Sequence, residues 1–280
     1  MARSHRDSNP ASPARPCQTP GMAAETVRHV VEQHIATVTI DRPEHRNALD
    51  QATVECLREH LGAVAEDRNA RVVVLTGAGK DFCVGGDVAG LTPTEGRQRS
   101  SGELRALMEV SELLVGMPQI TIAAISGACA GAGMGFAAAC DLRLAAASAV
   151  FATAFLRVGV SGDHGTIWSV TRAVGPSRAR ALFLLGDRFG AAQAREYGLV
   201  HRVLPDEDLL PGVREVATRL TSQSPSALRV MKENLNDALL LPLADYLDRE
   251  VERFAAVSRG PHAAEAALAF LEKRPAVFNE

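Results

Sequence analysis

Large classes of function are closed off by what this chain lacks. Aromatic residues are few, with nine Phe, two Tyr and one Trp in 280 residues, which leaves little to line an aromatic pocket. The basic residues do not outnumber the acidic ones, and a formal net charge of −3 offers no electrostatic footprint for nucleic acid. Lysine occurs only at positions 80, 232 and 273; arginine supplies the rest, a bias that with abundant alanine reads as genome composition. The five cysteines show no Cys-x-x-Cys spacing and the eight histidines are dispersed, so no metal or redox centre is implied. An odd, scattered cysteine set suggests reduced thiols and a cytoplasmic setting. No apolar run reaches the roughly 20 residues that span a bilayer.

Familiar nucleotide and hydrolase signatures are absent too. Gly131 and Gly133 are followed by Phe136 where a dinucleotide fingerprint needs its third glycine. Gly77-Ala78-Gly79-Lys80 lacks P-loop spacing, and no Gly-x-Ser-x-Gly elbow surrounds Ser161, which excludes a triad of Ser161, Asp163 and His164.

What is present is an apolar content of 46%, ample for a buried core. Residues 1–24 hold four prolines and almost no large apolar side chain, the composition of a disordered tail. Residues 27–31 and 35–40 alternate like a hairpin, and Asp50 is placed to cap a helix to about Glu66. Residues 72–76, 120–125, 142–145 and 150–151 read as short strands, and residues 104–115 as one helix. Helices are predicted at 165–173, 176–185 and 191–196, and then at 207–221, 225–239, 242–257 and 262–271.

Two glycine-rich stretches stand out. One is Gly77-Ala78-Gly79-Lys80-Asp81-Phe82-Cys83-Val84-Gly85-Gly86-Asp87; the other runs from Gly127 to Gly135 and is closed by Cys140-Asp141. Each follows a short apolar strand. A strand, a tight turn and free backbone N–H groups make an anion site, and two such turns that converge hold one oxyanion between two donors. The same glycines would also serve close packing of strand on helix.

Both turns resemble those of the crotonase superfamily, the enoyl-CoA hydratase/isomerase family. Asp41-Arg42-Pro43-Glu44-His45-Arg46-Asn47-Ala48-Leu49, the segment Ala194 to Val203 with Pro205, and Ala269 to Pro275 are similar to further family motifs in the same order. The resemblance covers roughly residues 26 to 278. It implies an α/β fold: a spiral of repeated ββα units over residues 25–205, then a C-terminal helical region, 206–280, that packs on neighbouring subunits in a homotrimer or dimer of trimers. It also implies an acyl-CoA substrate, with coenzyme A as part of the thioester and no other cofactor.

The resemblance places the oxyanion hole at the N–H groups of Gly86 and Ala132. It puts Arg42, Arg46, Lys80, Asp81 and Phe82 near coenzyme A, and lets Lys273 and Phe278 complete a neighbour's site. The two glutamates of the family's hydratases fall here on Gly135 and Phe155, so hydration of a 2-enoyl-CoA lacks its acid and base. Asp163 aligns with the catalytic aspartate of dienoyl-CoA isomerases and with the nucleophilic aspartate of 4-chlorobenzoyl-CoA dehalogenases. It is equally placed to cap a helix beginning near Gly165. Met134, Gly135, Phe155, His164 and Trp168 are expected around it, an apolar surrounding that would raise its pKa. The expected reaction is double-bond isomerisation with Asp163 as acid and base. Nucleophilic chemistry at Asp163, and binding of acyl-CoA without catalysis, stand as alternatives.

Overall fold

The computed structural model describes residues 25–87 and 100–278; the tail expected over residues 1–24 lies outside them. Strands β1 (Val27–Glu32) and β2 (Ile35–Ile40) form the antiparallel hairpin. Helix α1 (Gln51–Glu66) follows, with Asp50 accepting from Thr53 N at 2.8 Å as its cap. Strands β3 (Val72–Gly77) and β4 (Ile120–Ile125) continue the sheet in parallel. Between them lie α2 (Ser101–Leu107) and α3 (Glu109–Gly116). The single helix expected over 104–115 is thus two, broken at Met108, whose N–H reaches back to Arg105 O.

From β4 onward the chain alternates between two sheets. Strand β5 (Ala128–Ala130), helix α4 (Ala132–Ala139), strand β6 (Leu142–Ala146) and strand β7 (Val150–Ala152) come in that order. Then follow α5 (Thr166–Val174), α6 (Pro176–Leu185), β8 (Phe189–Gly190), α7 (Ala191–Glu196) and β9 (Arg202–Leu204). The larger sheet has the order β1-β2-β3-β4-β6-β9, and the smaller β5-β7-β8. Strands β4 and β5 with α4, and β6 and β7 with α5 and α6, each lay one strand in each sheet and close with helix, the strand–strand–helix unit of the spiral.

Strands β3 and β4 read as unbroken apolar runs because both of their faces are covered. On one face Val73, Leu75, Ala123 and Ile125 join the main core with α1, α3 and α4. On the other, Val72, Val74, Ile122 and Ala124 meet Leu209, Val213 and Val216 of α8 (Leu209–Thr221). Helices α9 (Pro225–Asp237), α10 (Leu243–Ser258) and α11 (Pro261–Glu272) complete the chain. A buried lysine fastens α9: Lys232 Nζ donates to Leu114 O and Gln119 O and pairs with Asp141 at 2.9 Å. Asp141 in turn accepts from Thr121 N and Oγ1, so the residue that closes the second glycine stretch joins β4 to the C-terminal helices.

Candidate active site

The two glycine turns leave the carboxyl ends of β3 and β4, where ligands bind in open parallel sheets. They meet directly. Cys83 N donates to Ala128 O at 3.0 Å and Ala130 N to Cys83 O at 2.9 Å, a short parallel bridge between the turns. Gly85 has φ of 95°, and a Cβ there would stand 2.9 Å from Ala130 O and 3.4 Å from Ala132 N. Only a residue without a side chain allows this approach.

Two backbone bonds then fix the peptide of Gly86. Leu49 N donates to Gly85 O, and Asp87 N to Leu49 O, both at 2.9 Å. Gly86 is exposed at the turn's surface, and Ala132 is the first residue of α4, where the helix dipole favours negative charge. Among the described residues, neither N–H has an acceptor. Two unoccupied donors on touching turns are what an oxyanion requires.

A polar network locks this arrangement from behind. Asp81, almost wholly buried, accepts from Ala128 N at 2.8 Å and pairs with Arg46 at the same distance. Arg46 holds its carboxyl below the usual range, chiefly through the side-chain hydrogen bond. Asn47, fully buried, donates to Ala78 O and Asp81 O and accepts from Arg42 N. The Arg42 side chain bonds Ala48 O and pairs with Asp50 at 2.9 Å. Arg42 and Asp81, expected beside coenzyme A, therefore spend their charges inside the turns. Phe82 is fully buried, and its N–H donates to Ser126 O. Lys80 is exposed on the outside of the first turn.

Below the turns lies a cavity of about 450 Å³. Gly85, Gly86, Gly131, Phe155, Asp163 and His164 line it, with Leu49, Leu107, Met108, Val158 and Val160 as apolar wall. Among the described residues, Asp163 Oδ1 is buried without a hydrogen-bond partner, and burial raises the carboxyl pKa to about 6. The carboxylate does not cap α5: Thr166 N and Oγ1 both donate to the main-chain oxygen of Asp163, and the cap position is Gly165. His164 packs edge-on against Phe136, and burial lowers its pKa to about 4, so it is neutral at pH 7. The loop that carries both residues is bent by positive φ at Gly162, His164 and Gly165, and Ser111 Oγ donates to His164 O.

The two hydratase positions are filled by other matter. Phe155 stacks on Phe183 at 6.3 Å and forms part of the cavity wall. Gly135 faces Thr166, so no side chain fits there. Two expected pocket residues lie elsewhere. Met134 is fully buried in the main core and does not line the cavity. Trp168 is 45% exposed and stacks under Arg172 at 3.6 Å, because the first turn of α5 directs it away from the cavity. Lys273 ends α11 in a left-handed conformation, and the ring of Phe278 rests against His262. Phe278 O accepts from Arg71, just before β3 begins, at the opposite end of that strand from the cavity. Thr166, Asn47 and Leu49 are site residues that sequence reasoning did not single out.

Residues 31–280 match the sequence model of the enoyl-CoA hydratase/isomerase family. The chain belongs to this family. It is 33% identical over 256 residues to the 1,2-epoxyphenylacetyl-CoA isomerase of Escherichia coli, covering 89% of this chain and 96% of the relative. It is 32% identical over 262 residues to the crotonyl-CoA hydratase of Syntrophomonas wolfei, covering 92% and 99%. The crystal structure of an enoyl-CoA hydratase from Bacillus anthracis superposes with a TM-score of 0.84 at 30% identity, covering 90% of this chain and 98% of that one. This member of the hydratase/isomerase family is thus an acyl-CoA-processing enzyme with the family's fold, and its relatives include both hydratases and isomerases.

Proposed function

We propose that this enzyme moves a carbon–carbon double bond within an acyl-CoA thioester. The observation that carries the reading is the state of Asp163: a desolvated carboxyl facing an apolar cavity, while positions 135 and 155 hold no carboxylate. Asp50 and Asp87 also line the cavity, but Asp50 is occupied by Thr53 N and Arg42, and Asp87 is not free either.

The thioester oxygen accepts from Gly86 N–H and Ala132 N–H. Ionised Asp163 takes a proton from C2 of a 3-enoyl chain; the C–H pair becomes the C1=C2 bond, and the carbonyl pair moves to oxygen. The dienolate collapses as the protonated Asp163 returns the proton to C4, leaving C2=C3. No atom is gained or lost. A carboxyl with pKa near the working pH suits both transfers. Each donor of such a pair lowers the barrier by about 3–4 kcal/mol. The apolar wall excludes the water that addition would need.

Lys80 and Arg46 supply exposed positive charge for the phosphates of coenzyme A. Lys273 and Phe278 would serve a neighbour's site, since in their own chain Phe278 sits at the other end of β3. The neighbour is a second copy of this chain, in a homotrimer or dimer of trimers. Leu243, Leu247, Val251 and Phe254 form an exposed apolar stripe along α10, which buries no residue of its own.

Ultraviolet monitoring of the protein with a 3-enoyl-CoA, a 3,5-dienoyl-CoA and a 2-enoyl-CoA tests the reaction. Conjugation changes on either of the first two, with the 2-enoyl signal intact, are expected. Rapid loss of the 2-enoyl signal would show hydration and overturn the mechanism. Silence on all three, with an aspartyl ester detected by mass spectrometry, would transfer Asp163 to nucleophilic chemistry.

A further inference from the structure

Gly135 lies in the second half of the first turn of α4, facing the start of α5. A Cβ there would stand 2.2 Å from Thr166 Oγ1, 3.1 Å from Thr166 Cβ and 3.2 Å from Thr166 Cα. The last two atoms cannot rotate away, so any side chain at 135 pushes the start of α5 off α4. Thr166 is fully buried in the hollow that glycine leaves. From there its Oγ1 and its N–H both donate to Asp163 O at 2.9 Å. One residue therefore fills the place where the resemblance puts a hydratase glutamate, and grips the backbone of Asp163, whose Oδ1 is buried without a partner among the described residues.

We propose that Thr166, seated on Gly135, is the positioning residue that sets the Asp163 carboxyl in the acyl cavity. A bare position 135 and an inward Asp163 are then one structural arrangement. The double grip on Asp163 O holds the 162–165 loop against its left-handed bends, which a free loop would relax. The inference rests on the proton-transfer reading only for its effect on turnover; the placement of Asp163 stands apart from it. It follows that restoring a glutamate at 135 alone creates no hydratase, because the substitution displaces the loop before the carboxylate can act.

The experiment reads the Asp163 carboxyl directly. Infrared difference spectra of the wild type against Asp163→Asn, taken without substrate, follow the protonated C=O band across pH. Thr166→Val keeps the volume and removes the donor; Thr166→Ser keeps the donor. The Val variant is expected to lower the titration midpoint by about one pH unit as the carboxyl reaches water, and the Ser variant to retain the wild-type midpoint. Gly135→Ala should act like Thr166→Val. With a 3-enoyl-CoA, Thr166→Val should lose about 100-fold in kcat with KM little changed, as a small misplacement of a catalytic group does, and Thr166→Ser should restore most of it. A wild-type midpoint in Thr166→Val would overturn the proposal even if Gly135→Ala fails to fold. So would a wild-type carboxyl that titrates in the ordinary range. If Asp163→Asn retains full turnover, the proton-transfer reading falls while the infrared midpoint still decides the placement.

Discussion

At the scale of single residues, the proposed mechanism depends on one carboxyl kept out of water. Burial raises Asp163 to about 6, so the base form dominates above that pH. The expected outcome is that kcat/KM for a 3-enoyl-CoA falls about tenfold per unit below pH 6 and levels above it; a flat profile between pH 5 and 7 would contradict this. The same burial has a cost. A group whose folded pKa is raised contributes stability below its unfolded value of 3.8 and loses it as pH rises through about 6. Asp163→Asn should therefore unfold at a higher temperature than the wild type at pH 8, by roughly 1–3 kcal/mol of stability, with the gap closing at pH 4; thermal unfolding at the two pH values checks it. Gly86, Ala132 and Asp163 could be named from the sequence because the turn motifs and the resemblance point to them, and the structure sets Gly86 and Asp163 on one cavity. Thr166 was not: its contact with Gly135 joins residues far apart in the chain, and nothing local marks it. Trp168 misled because its position after a glycine loop says nothing about which way the first helical turn faces.

At the scale of elements, the hairpin, β3, β4, β6, β7 and most helices were readable, because β3 and β4 are largely apolar runs and Asp50 is a strong cap; the short strands β5, β8 and β9, of two or three residues each, were not. The break at Met108 was not, since residues 104–115 keep helical apolar spacing through it. The resemblance sets Arg42 and Arg46 beside coenzyme A by charge and residues 80–82 by backbone. In the structure the side chains of Asp81, Asn47 and Arg42 bond within and between the turns. The same inward use of charge ties α9 to the core through Lys232 and Asp141. Both partners are shielded, and breaking a buried pair leaves the other charge uncompensated. Lys232→Met is expected to cost about 3–5 kcal/mol, measured by denaturant unfolding, with the enoyl-CoA affinity of the folded protein little changed. A loss under 1 kcal/mol would show that the pair is not what fastens α9.

At the scale of the whole molecule, the larger sheet is covered on both faces within one chain, whereas α10 buries no residue and leaves apolar side chains exposed. The stripe Leu243, Leu247, Val251 and Phe254 is joined by exposed Leu239, Leu240, Phe270 and Leu271. An apolar surface of this extent marks a protein–protein contact. Light scattering on the purified protein is expected to give a trimer or hexamer, and the double variant Val251→Asp with Phe254→Asp to give smaller species. A wild-type monomer at micromolar concentration would contradict it. Composition carried no sign of this exposed stripe, because apolar residues at helical spacing read the same whether they face a core or the surface.

The most direct test of the central claim is the rate of conjugation of a 3-enoyl-CoA by Asp163→Asn, with thioester affinity measured alongside. The account predicts turnover reduced by at least about 1,000-fold, as for loss of an essential acid–base group, with affinity within about threefold of the wild type. Turnover close to that of the wild type would contradict it and leave the two glycine turns without their proton carrier.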